Sequence, residues 1–170
     1  MKSWSSVKRI LEEDRLAPSL RGRVSYFVTR YREAHDDVGR LAILVDGKEV
    51  FRAHPFWESS DWRSVREEHP GLSREEFWEL MFNLELAKGN GEQYDFYRSF
   101  EEYDTQDIEK SLASGNPLVR VLAVLDRRVG KRRLNRLAEQ GFSDEPEWVQ
   151  DFCRLRLEAE NIALSEKESP

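Results

Sequence analysis

The spacing of apolar positions along this chain changes period as it runs from one end to the other. In "SWSSVKRILEEDRLAPSL", Trp4, Val7, Ile10 and Leu11 recur at helical spacing. Ser5 or Ser6 is the expected cap and Pro18 the stop, since the residue before a proline avoids the α region. "RVSYFVTRYR" and "LAILVDGKEVFRAH" are instead dense in β-branched and aromatic residues. Asp46-Gly47 sits between two apolar runs, and a two-residue type I′ hairpin needs this kind of pair because both central residues take positive φ. The expected strands are 23–32, 40–45 and 48–54, forming an antiparallel meander with "EAHDDVG" as its looser connection.

From Pro55 onward the strand signals stop. "SREEFWELMFNLELAKGNG" opens with a capping box, Ser73 followed three residues later by Glu76. Phe77, Leu80, Met81, Leu84 and Leu86 form its expected apolar face, and Gly89 or Gly91 ends it. A second helix is expected over 92–103, anchored by Tyr94, Phe96, Tyr97 and Phe100, and a third from Asp104 or Thr105 to Ala113. Asn116-Pro117 and Glu145-Pro146 each precede a further helix, since proline is tolerated in a first turn. Two such starts are too few for a repeat array and are read as coincidence.

The stretch "VLDRRVGKRRLNRL" (Val124 to Leu137) breaks the helical pattern. Leu118, Val121, Leu122, Leu125 and Val129 share one face, but a straight continuation would bury Arg132, Arg133 and Arg136 on it. Burying unpaired guanidiniums costs too much. The helix must therefore break around Val129-Gly130, with Leu134 and Leu137 starting a new face. Asp126, Arg127, Arg128, Lys131, Arg132, Arg133 and Arg136 then form a basic corner. Lys131 to Arg133 would open a helix, where its dipole disfavours cations, so acidic partners are expected nearby. Those partners are either Asp126 and the acidic 58–114 region or the phosphates of a nucleic acid. The carboxylate reading is preferred.

Composition sharpens this contrast. The 170 residues carry a formal charge of −6, yet residues 58–114 hold six basic and fifteen acidic side chains. An aromatic content of 11% supplies enough bulky side chains for a packed core and argues against wholesale disorder. No segment reads as a signal peptide or a membrane span, which leads to a cytoplasmic expectation with no membrane partner. A single cysteine, Cys153, excludes an internal disulfide and a cysteine-based zinc site.

Catalytic chemistry finds little support. Asp46 and Lys48 match a fragment of the acid-x-lysine pattern of metal-dependent nucleases, but turn chemistry already explains the aspartate. His35 with Asp36 and Asp37, His54 and His69 lack the paired spacing of metal ligands. "VGKRR" lacks both the earlier glycine and the hydroxyl residue of a phosphate-binding loop. No catalytic, metal or cofactor-binding residue is assigned, and no cofactor is expected. Trp57 and Trp62, in the 55–70 loop, are candidates for an aromatic partner surface.

Four segments together resemble a small uncharacterised bacterial protein family: "MKSWSSVKRILEEDRLAPSLRGRVSYFVTRYR", "GRLAILVDGKEVF", "NPLVRVLAVLDRRVGKRRL" and "EWVQDFCRLRLEAENI". They cover both ends and about half of the chain. The resemblance implies a bacterial, cytoplasmic protein and carries over no activity and no site residue.

The expected architecture is α+β: an N-terminal helix and three-stranded antiparallel meander, followed by a helical, bundle-like half. Residues 1–160 are read as one domain and 161–170 as a flexible tail. The expected function is a non-enzymatic protein-interaction module, an adaptor or an immunity-type protein, using the acidic 58–114 surface toward another protein. The alternative is nucleic-acid binding through 127–136.

Overall fold

The computed structural model describes residues 2–29, 40–53 and 62–164. Helix α1 spans Trp4–Arg9, and its cap is Ser3, whose hydroxyl accepts from the Ser6 amide; Ser5 and Ser6 are already helical. The helix does not run on to Pro18. It widens into a π turn over Ile10–Asp14, and Pro18 instead opens a short 3-10 turn, Pro18–Leu20.

The meander follows as β1 (Val24–Thr29), β2 (Arg40–Val45) and β3 (Lys48–Ala53), antiparallel throughout, with Val24 opposite Val45 and Leu41 opposite Ala53. Asp46 and Gly47 have φ of 49° and 79°, the pair of positive values that the tight turn demands. The outer ends expected for strands 1 and 3, residues 30–32 and 54, lie outside the described residues. So do the "EAHDDVG" loop, His54 and Trp57.

A fourth strand enlarges the expected sheet. β4, only Asn90–Gly91, runs parallel to β3, with Arg52 opposite Asn90 and Ala53 opposite Gly91. The sheet order is β1-β2-β3-β4. At the opposite edge, the Tyr26 amide donates to the Glu12 carboxylate at 2.7 Å, which occupies part of an otherwise open strand edge.

The helical half contains α2 (Trp62–Glu68), α3 (Arg74–Ala87), α4 (Gln93–Thr105), α5 (Ile108–Leu112), α6 (Pro117–Val124), α7 (Lys131–Gln140) and α8 (Glu147–Ala159). The capping box at Ser73 and Glu76 is complete, both reciprocal hydrogen bonds being made. The face of α3 is rotated from the expected one: Phe77, Met81, Glu85 and Leu86 are buried, whereas Leu84 is exposed. Glu85 tolerates burial because Lys88 and Asn90 donate to it at 3.0 and 3.2 Å. The helix expected to start near Asp104 starts later; α4 runs through Thr105, and Asp107 caps α5 by accepting from the Lys110 amide. The two proline-led starts differ, since Asn116 caps α6 with its side chain and no side chain caps α8.

One core joins the two halves. Phe51 of β3 meets Trp148 of α8 at 5.1 Å between ring centroids, and Tyr26 of β1 meets Phe96 of α4 at 6.3 Å. The Trp148 indole donates to the Leu86 carbonyl at 2.7 Å, so this large side chain is buried without stranding its polar atom. Helix α6 buries Leu118, Val119, Val121, Leu122, Ala123 and Val124, so it is apolar nearly all round, as a central helix must be. Among the described residues, no helix is long and apolar enough to cross a membrane.

Candidate functional site

The chain turns sharply after α6, earlier than Val129-Gly130. Val124 is the last α6 residue, and Asp126 forms an isolated antiparallel bridge with Leu16. The Ala17 amide donates to the Leu125 carbonyl at 2.9 Å, and the Arg127 amide donates to the Arg15 carbonyl at 2.7 Å. Two segments far apart in sequence are thus paired edge to edge. Leu125, the C-cap of α6, keeps helical φ and ψ and donates its amide to the Val121 carbonyl, while the pairing takes its own carbonyl.

Asp126 is buried, with 1% of its surface exposed. Its carboxylate accepts from the Tyr103 hydroxyl, from the Arg128 amide at 2.7 Å and from Arg128 Nε at 2.8 Å. Burial, together with the Asp126 charge, pushes the Tyr103 hydroxyl well above the usual tyrosine range. The hydrogen bond to Asp126 raises Arg128 in turn. The Arg15 and Arg128 guanidiniums both lie over the Tyr103 ring, at 5.1 and 5.6 Å from its centroid. Arg15 also pairs with Asp104 at 2.6 Å, and Lys2 reaches the same carboxylate. Beneath the corner, the buried Arg156 donates to the Val129 carbonyl at 3.0 Å and to Ser19 and Glu160.

The corner cations divide into two groups. Arg128 faces Asp126, and Arg133 donates to Glu109 of α5. Arg127, Lys131, Arg132 and Arg136 are exposed and form no ion pair among the described residues. The carboxylate reading therefore describes Arg128 and Arg133 and does not describe the other four. Their placement is locally unfavourable. Lys131 and Arg132 open α7, where each cation costs about 0.3–1 kcal/mol against the helix dipole. Arg132 and Arg136 stand four residues apart on that helix, a like-charge spacing that costs a few tenths of a kcal/mol more, ~0.2–0.5. The new apolar face forms as the spacing requires, with Leu134 and Ala138 buried and Leu137 partly so.

Two concavities open in the helical half. A cleft of about 430 Å³ lies where α5, α6, α7 and α8 meet. Val124, Leu137, Phe142, Val149 and Cys153 line it, with Arg133 and Arg136 also on its wall. Burial pushes the Cys153 thiol up to about 12, so it stays protonated at neutral pH.

The second is an open groove of about 920 Å³ between α3 and α4. Glu79, Glu92, Asp95, Glu101 and Glu102 line it alongside Trp78, Phe82 and Arg98. Trp78 is 44% exposed. Partial burial raises the Asp95 carboxyl above its ordinary range. Trp62 is also exposed, under the Arg63 guanidinium on α2, but it does not line this groove. Tryptophans spread through a chain like this are mostly expected as core or inter-element anchors, and Trp78 departs from that. The signal was available, because Trp78 falls beside the Phe77–Met81 stripe and not on it.

Asp46 is occupied structurally. Arg23 grips its carboxylate with Nε at 3.0 Å and Nη2 at 2.7 Å, which holds the carboxyl below its usual range. Among the described residues, no three His, Cys, Asp or Glu side chains are grouped to hold a metal ion.

Comparison with known proteins adds one finding. A model of the SF0329 protein family matches residues 3–157. The chain belongs to that family. The SF0329 match takes in the meander, the acidic groove, the basic corner and most of α8. Neither a curated protein nor a solved structure matches the chain.

Proposed function

We propose that the protein is a protein-interaction module of the adaptor or immunity type, and that its acidic α3–α4 groove receives a basic segment of a partner protein. The observation that carries this reading is the combination of five carboxylates with an exposed tryptophan in one open groove. Carboxylates along a groove steer a basic partner and reject an acidic one. Trp78 and Phe82 supply the apolar contact area that charge alone lacks, and tryptophan is among the residues that dominate binding when buried by a partner. The groove lies within the stretch of strongest negative charge, 58–114.

A basic amphipathic peptide of alternating Lys, Arg and Leu serves as the probe, with Trp78 fluorescence and peptide anisotropy as readouts. The expected result is salt-sensitive binding that weakens at least about tenfold on Trp78→Ala, by the usual cost of truncating an anchor. Glu79→Lys weakens it further and makes the loss with salt shallower, because one attractive charge contact is gone. Binding indifferent to both substitutions, or no binding at low salt, contradicts the proposal.

A further inference from the structure

We infer that the basic corner, extended by residues from the N-terminal segment, is a surface for the phosphodiester backbone of a nucleic acid. The surface is composite. The Leu16–Asp126 bridge sets the Arg15 carbonyl against the Arg127 amide, and the Tyr103 ring carries the Arg15 and Arg128 guanidiniums together. Lys2 joins at Asp104, while Lys131 and Arg132 continue the surface along the first turn of α7.

The carboxylates of this region are already committed. Asp104 holds Lys2 and Arg15, Asp126 holds Arg128, and Glu109 holds Arg133. Arg127, Lys131, Arg132 and Arg136 remain solvated without an ion pair among the described residues. Their arrangement works against the stability of α7, since cations crowd its positive end and repeat at like-charge spacing. Nothing within the described fold compensates Lys131 or Arg132. Gly130, the residue before α7, leaves the helix start without a side-chain cap, although its φ of −80° suits any residue and its surroundings are open. Sites that break local rules without an internal gain point outward, to a partner.

The chemistry of the surface selects among polyanions. Among the described residues, the exposed large apolar side chains are Phe27, Trp62, Trp78, Leu84, Tyr94 and Leu164, and none lies on the corner. A membrane-binding surface pairs its cations with apolar groups that enter the lipid, and that half is missing here. Tyr103 is buried beneath its two arginines, so it offers no face on which an unstacked base could lie. What is left is recognition of phosphates in register, indifferent to sequence. The inference is independent of the acidic groove: α4 contributes to both, but through different residues.

Anisotropy titrations with a labelled duplex DNA, the matching duplex RNA and a single-stranded RNA, each about 20 nucleotides long, test it across about 50 to 200 mM salt. Four uncommitted cations predict duplex affinity that falls about 100-fold over that range. Arg127→Gln combined with Arg132→Gln makes the dependence on salt shallower by about two contacts, and Arg74→Gln on α3 leaves it unchanged. All three substituted side chains are exposed, and circular dichroism verifies that each variant is folded. Three outcomes overturn the inference: no binding at the lowest salt, binding that the double variant does not weaken, or binding to anionic phospholipid vesicles or polyglutamate in preference to the nucleic acids.

Discussion

The Tyr103 hydroxyl, on α4, donates its hydrogen bond to the buried carboxylate of Asp126, at the turn after α6. The pair joins α4 to the turn after α6 through an anion whose other hydrogen bonds, among the described residues, come from Arg128. Asp126→Ala removes that anion and leaves a buried hydroxyl unpaired, a loss expected to reach about 3 kcal/mol of stability. Tyr103→Phe keeps the packing and costs about 1.5 kcal/mol, the scale of a hydrogen bond to a charged group. Urea unfolding of both single variants and the double variant should show a coupling above about 0.5 kcal/mol, because the two side chains are in direct contact. Strict additivity excludes the pair as a joint support of the corner.

Alkaline pH tests the same region differently. Desolvation raises both Tyr26 and Tyr103 above the ordinary tyrosine range. A folded-state pKa above the unfolded one favours the neutral form of the fold. The stabilisation is complete below the unfolded value of about 10 and is lost as pH climbs from there toward the raised folded values. The urea midpoint should therefore decline from about pH 9.5 upward. Tyr103→Phe should make that decline shallower, and Tyr94→Phe, on an exposed tyrosine, should not. Equal slopes in all three proteins rule out burial of Tyr103 as a source of alkaline lability.

Gly89 makes a third test, at the entrance to β4. Its φ is +79°, and a Cβ there would stand 3.1 Å from the Val50 carbonyl oxygen and 3.2 Å from Trp148 Cγ. Backbone and core tryptophan both resist displacement. Gly89→Ala should cost about 2 kcal/mol, combining left-handed strain with overpacking. Gly115→Ala meets open space at an ordinary φ and should change stability by no more than about 0.5 kcal/mol. Thermal melts of the two variants side by side give the comparison, and a Gly89→Ala protein as stable as the parent contradicts the described packing.

Local chemistry made much of this fold readable in advance. Asp46-Gly47 and Ser73-x-x-Glu76 each specify a structure within four residues, and both form as their chemistry demands. β4 escaped because a two-residue parallel strand has no period of its own; only β3, some forty residues earlier, defines it. The cap of α1 was ambiguous among serines that differ little in capping power. The corner was visible as a break but misplaced by a few residues. A helical wheel registers where burial of arginine becomes intolerable, and it has no knowledge that Leu16 claims Asp126 first. For the same reason the sequence showed a basic run and concealed the contribution of Arg15. The acidic groove was legible only as a region, since no local pattern pairs Trp78 of α3 with the carboxylates of α4.

The Leu16–Asp126 bridge also bears on the order in which the molecule is completed. Residues roughly a hundred positions apart must find each other, and closing so long a loop has an entropic cost that short-range turns avoid. A contact of that separation slows folding and tends to form after the hairpin and the local helices. While the chain is still emerging from a ribosome, Arg15 has no Arg127 beside it, and Tyr103 waits for the carboxylate it will bond. The positive face therefore does not exist on a partial chain. Whatever recognises it reads the completion of folding along with the charge.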